Sequence, residues 1–206
     1  MNLKKINIIT KIDLSNLNLK TFTEQDALDY CQINNLNSNN ITELLNLQLN
    51  ELIDISGVKL FKNIKRLWLN FNEINDISII KNLKKIQDLN ISNNKIKDIS
   101  VLEDLTKLKI LNISYNQIID IRVLKYLKNL KQLNIGNNKI KNISVIKYLT
   151  ELRLLDIDYL KLESDQIEYI KLLKNLEELW CNNGFKKMNI LNQLINSIKI
   201  FGYSIY

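Results

Sequence analysis

The chain contains no proline and no histidine, and only four glycines and two cysteines. Each scarcity excludes something. Without histidine there is no Ser-His or Cys-His pair to activate a nucleophile, and no imidazole to hold a metal. Gly57, Gly136, Gly184 and Gly202 are isolated, so no glycine-rich loop can cradle a phosphate. Cys31 and Cys181 lie far apart in the chain, and buried free thiols in a reducing compartment are expected. No apolar run approaches about 18 residues, which excludes a membrane-spanning helix, and the apolar stretch after Met1 is too short for a signal sequence. These absences set the expectation of a cytoplasmic, non-catalytic protein that needs no cofactor and no metal.

Asn, Ile and Lys are in excess, a skew that AT-rich codons also produce. Glycosylation sequons at Asn40, Asn90, Asn112 and Asn142 are expected by chance in so Asn-rich a chain. The arrangement is more informative than the composition. Between Leu45 and Leu179 one pattern recurs: apolar-x-x-Leu-x-Leu/Ile-x-x-Asn-x-Ile-x-Asp-Ile, followed by apolar residues three apart. Its cleanest copies begin at Ile64, Ile86, Leu108, Leu130 and Leu152, a step of 22 residues.

Within each copy the Leu-x-Leu stretch alternates and reads as a short strand. Pairs such as Leu67/Leu69, Leu89/Ile91, Leu111/Ile113, Leu133/Ile135 and Leu155/Ile157 are predicted to point inward. Asn recurs at the ninth place, as Asn50, Asn72, Asn94, Asn116 and Asn138. A side chain that donates and accepts can satisfy backbone groups where the chain leaves each strand, so this row is read as structural. The following Asp-Ile-Ser, as in Asp76-Ile77-Ser78, reads as a cap on a short helical turn. A single rung cannot bury its apolar face alone, so stacking is required and the ends need special treatment.

Residues 9–19 form an imperfect first rung. Thr21-Phe22-Thr23-Glu24 reads as a capping box opening a helix through Leu28 and Cys31, and the Asn-rich segment 33–41 has room for a shortened rung. The copy at Leu152 stretches to 24 residues, with Leu160 where Asn belongs and a predicted capped helix from Asp165. Ile198, Phe201 and Tyr203 are predicted to form a last strand. The expected organisation is one domain over 1–206, with a cap and irregular rung at 1–41, regular repeats at 42–175 and degenerate repeats at 176–206.

The pattern resembles the 22-residue class of leucine-rich repeats, which includes the regulatory subunit of protein phosphatase type 1 and the bacterial internalins. The likeness covers residues 42–182, with a weaker echo at 9–19. It implies an α/β solenoid: a leucine-rich repeat horseshoe with a parallel concave β-sheet and short 3₁₀ or α turns on the convex side. The concave face is then the expected protein-binding surface. The chain has fewer rungs than the phosphatase regulator is expected to have, and it is expected to lack the secretion signal and wall-anchoring region of a typical internalin.

On that frame, places three, five, seven and eight of each copy are predicted to face outward. The fifth-place row contains Trp68, Asn90, Asn112, Asn134, Asp156 and Trp180 and ends on Gly202. The eighth contains Leu49, Phe71, Asn93, Tyr115, Asn137 and Tyr159. Exposed Trp and Tyr are the residue types enriched in binding hot spots; the competing reading is that they cover neighbouring rungs or terminal caps.

Adding the second place, the face carries seven cations (Lys11, Lys65, Arg66, Lys109, Lys131, Arg153, Lys199) and seven anions (Asp13, Glu43, Asp88, Asp156, Asp158, Glu177, Glu178). The formal +7 therefore resides in the turns and flanks, which argues against a nucleic-acid groove. Binding of nucleic acid or a membrane surface through basic flanks, and an internalin-like adhesin, are the alternatives. Asp156 with Asp158 has neither the Gly turn nor the bidentate Glu of a calcium loop. The candidate partner-binding set is Arg66, Trp68, Phe71, Tyr115, Asp156, Asp158, Tyr159, Glu177, Glu178 and Trp180, on an expected monomer that docks a protein partner.

Overall fold

Three residues of apolar-centred alternation recur every 22 positions, too few for a sheet unless each copy pairs with the next. In the computed structural model, which describes residues 9–183, 185 and 198–201, they do so in order. The strands are β1 (Lys11–Asp13), β2 (Leu44–Asn46), β3 (Arg66–Trp68), β4 (Asp88–Asn90), β5 (Ile110–Asn112), β6 (Gln132–Asn134), β7 (Leu154–Asp156), β8 (Glu178–Trp180) and β9 (Lys199–Phe201). They form one nine-stranded parallel sheet in sequential order. Leu67 lies beside Leu89, Leu89 beside Leu111, and Leu111 beside Leu133. The central residues from Ile12 to Leu179 are buried.

Opposite the sheet runs a column of five-residue 3₁₀ turns: Ser56–Leu60, Ser78–Asn82, Ser100–Asp104, Arg122–Tyr126 and Ser144–Tyr148. Each is opened by an acceptor two residues earlier. Asp54, Asp76, Asp98, Asp120 and Asn142 accept through Oδ1 from the backbone N–H of Ser56, Ser78, Ser100, Arg122 and Ser144 at 2.7–2.9 Å. Buried Ile80, Leu102, Leu124 and Ile146 seal these turns onto the strands. Strands stack about 4.8 Å apart and the turns are bulkier, so the sheet lines the concave side.

The ninth-place Asn side chains interlock the rungs. Asn94 Nδ2 donates to Leu69 O of the preceding rung (2.9 Å) and to Ile91 O of its own (3.2 Å), while its Oδ1 accepts from Ile74 N (3.0 Å). Asn72, Asn116 and Asn138 repeat this arrangement. Each sixth-place carbonyl from Leu47 to Ile113 thus accepts from two successive asparagines. Leu160, buried, takes the next place and the ladder stops there.

The ends differ from expectation in four ways. The capping box forms two residues later than predicted: Thr23 is the N-cap of α1 (Glu24–Ile33), paired reciprocally with Asp26. Thr21 instead bridges Asp54, and Phe22 packs into the core against Phe61. No rung hides in 33–41, because β1 pairs directly with β2 and the segment holds only a 3₁₀ turn at Ser38–Asn40.

The predicted capped helix begins as a 3₁₀ turn (Ser164–Gln166) that runs into α2 (Ile167–Lys171) without a side-chain cap. Buried Gln166 reaches across to accept from Ile143 N at 3.0 Å. The last strand is displaced by one residue: Ile200 pairs with Leu179, and Phe201, predicted inward, stands at the fifth place beside Trp180. Gly202 and Tyr203 lie outside the described residues. Among the described residues no helix is long and apolar enough to cross a membrane.

Candidate functional site

The sheet registers the candidate side chains into two groups with Tyr115 between them. On the β3 rung, Arg66 approaches Glu43 (3.7 Å), which Lys65 also engages (3.4 Å). Trp68 is half-buried. The carboxyl of neighbouring Asp88 is pushed above its ordinary value because burial outweighs the favourable influence of the Trp68 indole and the charge of Arg66. Phe71 closes the rung, 50% exposed. Between Trp68 and Phe71 lies buried Asn70, whose Oδ1 has no hydrogen-bond partner.

On β7 and β8, Asp156 accepts from Asn134 Nδ2 (2.7 Å) and from Asp158 N (2.9 Å). Burial, reinforced by the like charge of Asp158 and opposed by that backbone N–H, lifts the Asp156 carboxyl to about 6. Asp158 is also raised by burial, against the hydrogen bond it accepts from Asn182 N. Asn182 Nδ2 donates to Tyr159 Oη at 2.7 Å, fixing that ring. Glu177 is engaged by Arg153 (3.3 Å), whereas Glu178 has no ion-pair partner among the described residues. Trp180 stacks on Phe201 with ring centroids 4.5 Å apart and remains 39% exposed.

The outward reading of the rows needs one correction. Places three, five and eight reach solvent to differing degrees except at Asn46, which is buried, but place seven is covered in the central rungs: Asn70, Ser92, Ser114 and Gly136 are buried. The cause is local. Asn90 and Asn112 fold back over the seventh place, accepting from both N and Oγ of Ser92 and Ser114 at 2.7–3.1 Å. At Gly136 a Cβ would stand 2.9 Å from Asp158 O, so no side chain fits. Asp158 retains only partial exposure.

The eighth place carries a feature that composition does not announce. Leu49, Phe71, Asn93, Tyr115, Asn137, Tyr159 and Asn183 all have φ between 50° and 60°. Asn tolerates this left-handed region, whereas other non-glycine residues incur about 1–2 kcal/mol each. Leu49, Phe71, Tyr115 and Tyr159 are also 41–50% exposed, so neither backbone preference nor burial selects them.

On the opposite flank, a furrow of about 730 Å³ is lined by residues including Ile119, Tyr126, Lys97 and Lys139. Ile119 is 66% exposed there, and Arg122 is engaged by Asp120. Sequence reasoning passed over this furrow; its signal is an apolar residue, shared only with Ile53, at a place that holds Asn75, Lys97 and Lys141 in three other rungs.

Short parallel strands in series, 3₁₀ turns behind them and an interlocking Asn column define a leucine-rich repeat solenoid. The family model for leucine-rich repeats (2 copies) matches residues 62–105, 84–126 and 106–165, together just over half of the chain, and the protein belongs to the leucine-rich repeat family. Two solved relatives are internalins of Listeria monocytogenes. Internalin InlF is 30% identical with a TM-score of 0.76, covering 94% of this chain and 59% of its own. Internalin C2 is 26% identical with a TM-score of 0.75, covering 93% and 80%.

A leucine-rich repeat protein of Leptospira interrogans, 24% identical with a TM-score of 0.75 over 93% of this chain and 48% of its own, shares the fold. The chain thus spans less than two thirds of the InlF chain. A search of curated proteins gives no match. The fold is one typical of protein–protein interaction modules, and the family is generally non-catalytic.

Proposed function

We propose that this protein is a non-catalytic, regulatory interaction module that docks a protein partner on its concave sheet. The observation that carries this reading is the exposed aromatic set of Phe71, Tyr115, Tyr159 and Trp180 on a rigid scaffold, the first three displayed at a cost in backbone strain. Strained positions that packing does not require concentrate at functional sites, and these residue types dominate binding hot spots.

The anchors are Trp68 and Phe71 with Arg66 at one end, Tyr115 in the middle, and Tyr159 and Trp180 with Asp156, Asp158, Glu177 and Glu178 at the other. Trp68 and Trp180 are five strands apart, roughly 24 Å at the usual strand spacing, a span within reach of one partner domain. The protein acts as one solenoid domain and as a monomer. The buried free thiols of Cys31 and Cys181 support an intracellular setting.

The test is capture of partners by wild type and by the Trp68→Ala/Trp180→Ala double variant. Loss of a specific partner in the variant is expected; unchanged recovery removes the concave face from contention. The likeness to internalins favours a second reading, a surface adhesin. Sequencing the mature N-terminus in the native cell separates the two, since retention of Met1 or Asn2 argues against export. Binding through basic flanks would instead give an affinity that falls steeply with salt.

A further inference from the structure

The eighth-place row alternates. From β3 to β8 it reads Phe71, Asn93, Tyr115, Asn137, Tyr159 and Asn183, every residue in the left-handed region. Asn is the residue that this backbone conformation favours, and alternate rungs use it. The intervening rungs hold exposed aromatic rings that folding does not require. We propose that this row is a docking ridge for a proline-rich segment in polyproline II conformation, carrying Arg or Lys where it passes β7 and β8. The inference rests on the concave-face reading and specifies its partner.

Spacing supports it first. Aromatics two strands apart repeat at about 9.6 Å. A polyproline II helix advances about 3.1 Å per residue with three residues per turn, or about 9.3 Å. Across Phe71, Tyr115 and Tyr159 the two repeats therefore diverge by less than about 1 Å. An extended strand repeats its side-chain faces at about 6.6–6.8 Å and is about 3 Å out of step by the second aromatic, while two turns of an α-helix, about 10.8 Å, drift by about 2.4 Å across the three rings. Exposed rings at one turn of separation are how aromatic-lined surfaces recognise this helix.

Hydrogen bonding supports it second. Polyproline II makes no internal hydrogen bonds, so its carbonyls need outside donors. Asn93 and Asn137, between the rings, have side-chain amides without a hydrogen bond among the described residues. Charge supports it third, and sets a direction. At the β3 end Arg66 and Lys65 are answered by Glu43. Beside Tyr159 the carboxylates of Asp156, Asp158 and Glu178 form no ion pair among the described residues, with Lys199 the register neighbour of Glu178 and Arg153 engaging Glu177. A basic residue of the segment completes that end.

The experiment is fluorescence anisotropy with a labelled peptide of nine prolines followed by two arginines, against a control with Gly and Ser in place of the prolines. Wild type is expected to bind the proline peptide at least tenfold more tightly than the control. The Phe71→Asn/Tyr115→Asn/Tyr159→Asn variant is expected to lose at least tenfold in affinity while its Tm stays level or rises, because Asn suits these φ values. Equal affinity for the two peptides, or undiminished binding by the triple variant, overturns the inference. If the proline peptide fails to bind while Trp68→Ala/Trp180→Ala still abolishes capture of a protein partner, the polyproline assignment falls and the concave-face reading stands. If neither set of substitutions affects any partner, both fall.

Discussion

Asn116→Ala is the sharpest probe of what holds the rungs together. Asn116 is 8% exposed. Its Nδ2 donates to Ile91 O (2.9 Å), Ile113 O (3.2 Å) and Ser114 O (3.1 Å), and its Oδ1 accepts from Ile96 N (3.0 Å). Truncation affects these four groups unequally. Ile91 O keeps Asn94 (3.2 Å) and Ile113 O keeps Asn138 (2.9 Å). Ile96 N, beside a buried side chain, loses its acceptor outright.

An orphaned buried donor costs about 1–3 kcal/mol, and each lost hydrogen bond about 0.5–1.5 kcal/mol, so the total is about 3–5 kcal/mol. The control is Asn129→Ala, where an exposed amide donates once, to Thr106 O at 2.9 Å; about 1 kcal/mol or less is expected. Urea unfolding followed by circular dichroism measures both. Because each repeat contacts only its neighbours, a lowered m-value in Asn116→Ala is also expected as the two halves uncouple. A loss below about 1 kcal/mol with unchanged cooperativity would refute the interlocking ladder.

Three further outcomes follow from single sites. Gly57→Ala places a Cβ 2.3 Å from Thr23 O and 2.9 Å from Phe22 O, both backbone; it forces the cap helix off the Ser56–Leu60 turn and costs about 1–3 kcal/mol or more, read as a drop in Tm. The Asp156 carboxyl, raised from 3.8 to about 6 by burial, binds its proton more tightly folded than unfolded. Its contribution to stability is full below pH 3.8 and is lost as pH rises through about 6, so across that window the urea midpoint should decline more steeply in wild type than in Asp156→Asn, where the raised carboxyls of Asp158 and Asp88 still titrate; equal slopes would contradict this. Burial, with Asp158 and Asp156 nearby, pushes the Cys181 thiol up to about 12, and burial also raises Cys31. A thiol reagent at pH 8 should therefore label neither cysteine until urea unfolds the chain.

The period was the legible part. Five clean copies with the same spacing fix the register of β3 to β7, and an Asn at the ninth place of four of them has few uses other than satisfying backbone groups in a closed turn. The ends were harder because local motifs compete there with packing. Thr21 and Thr23 both begin acceptable capping sequences, and it is the burial of Phe22 that selects Thr23. The last strand shifted because Leu160 and Gly184 hold the ninth places of the two preceding rungs, where Asn would mark the frame, and no Leu-x-Leu follows Cys181 to restore it. At the site, the outward rows were readable as rows, but the seventh-place burial depends on Asn90 and Asn112 folding over their neighbours. Left-handed φ at the eighth place was visible only indirectly, as Asn recurring where Phe71, Tyr115 and Tyr159 alternate with it.

The claim that function resides on the sheet face and not on the turns is tested most directly by hydroxyl-radical footprinting of the protein with and without a bound partner. The molecule supplies its own internal comparison: Phe71, Tyr115 and Tyr159 on one side, and Tyr126 and Tyr148, 45% and 48% exposed, on the 3₁₀ turns. Protection of the first three rings with Tyr126 and Tyr148 still oxidised at the free rate is the predicted result. Protection of Tyr126 and Tyr148 while Phe71, Tyr115 and Tyr159 react as before would contradict it.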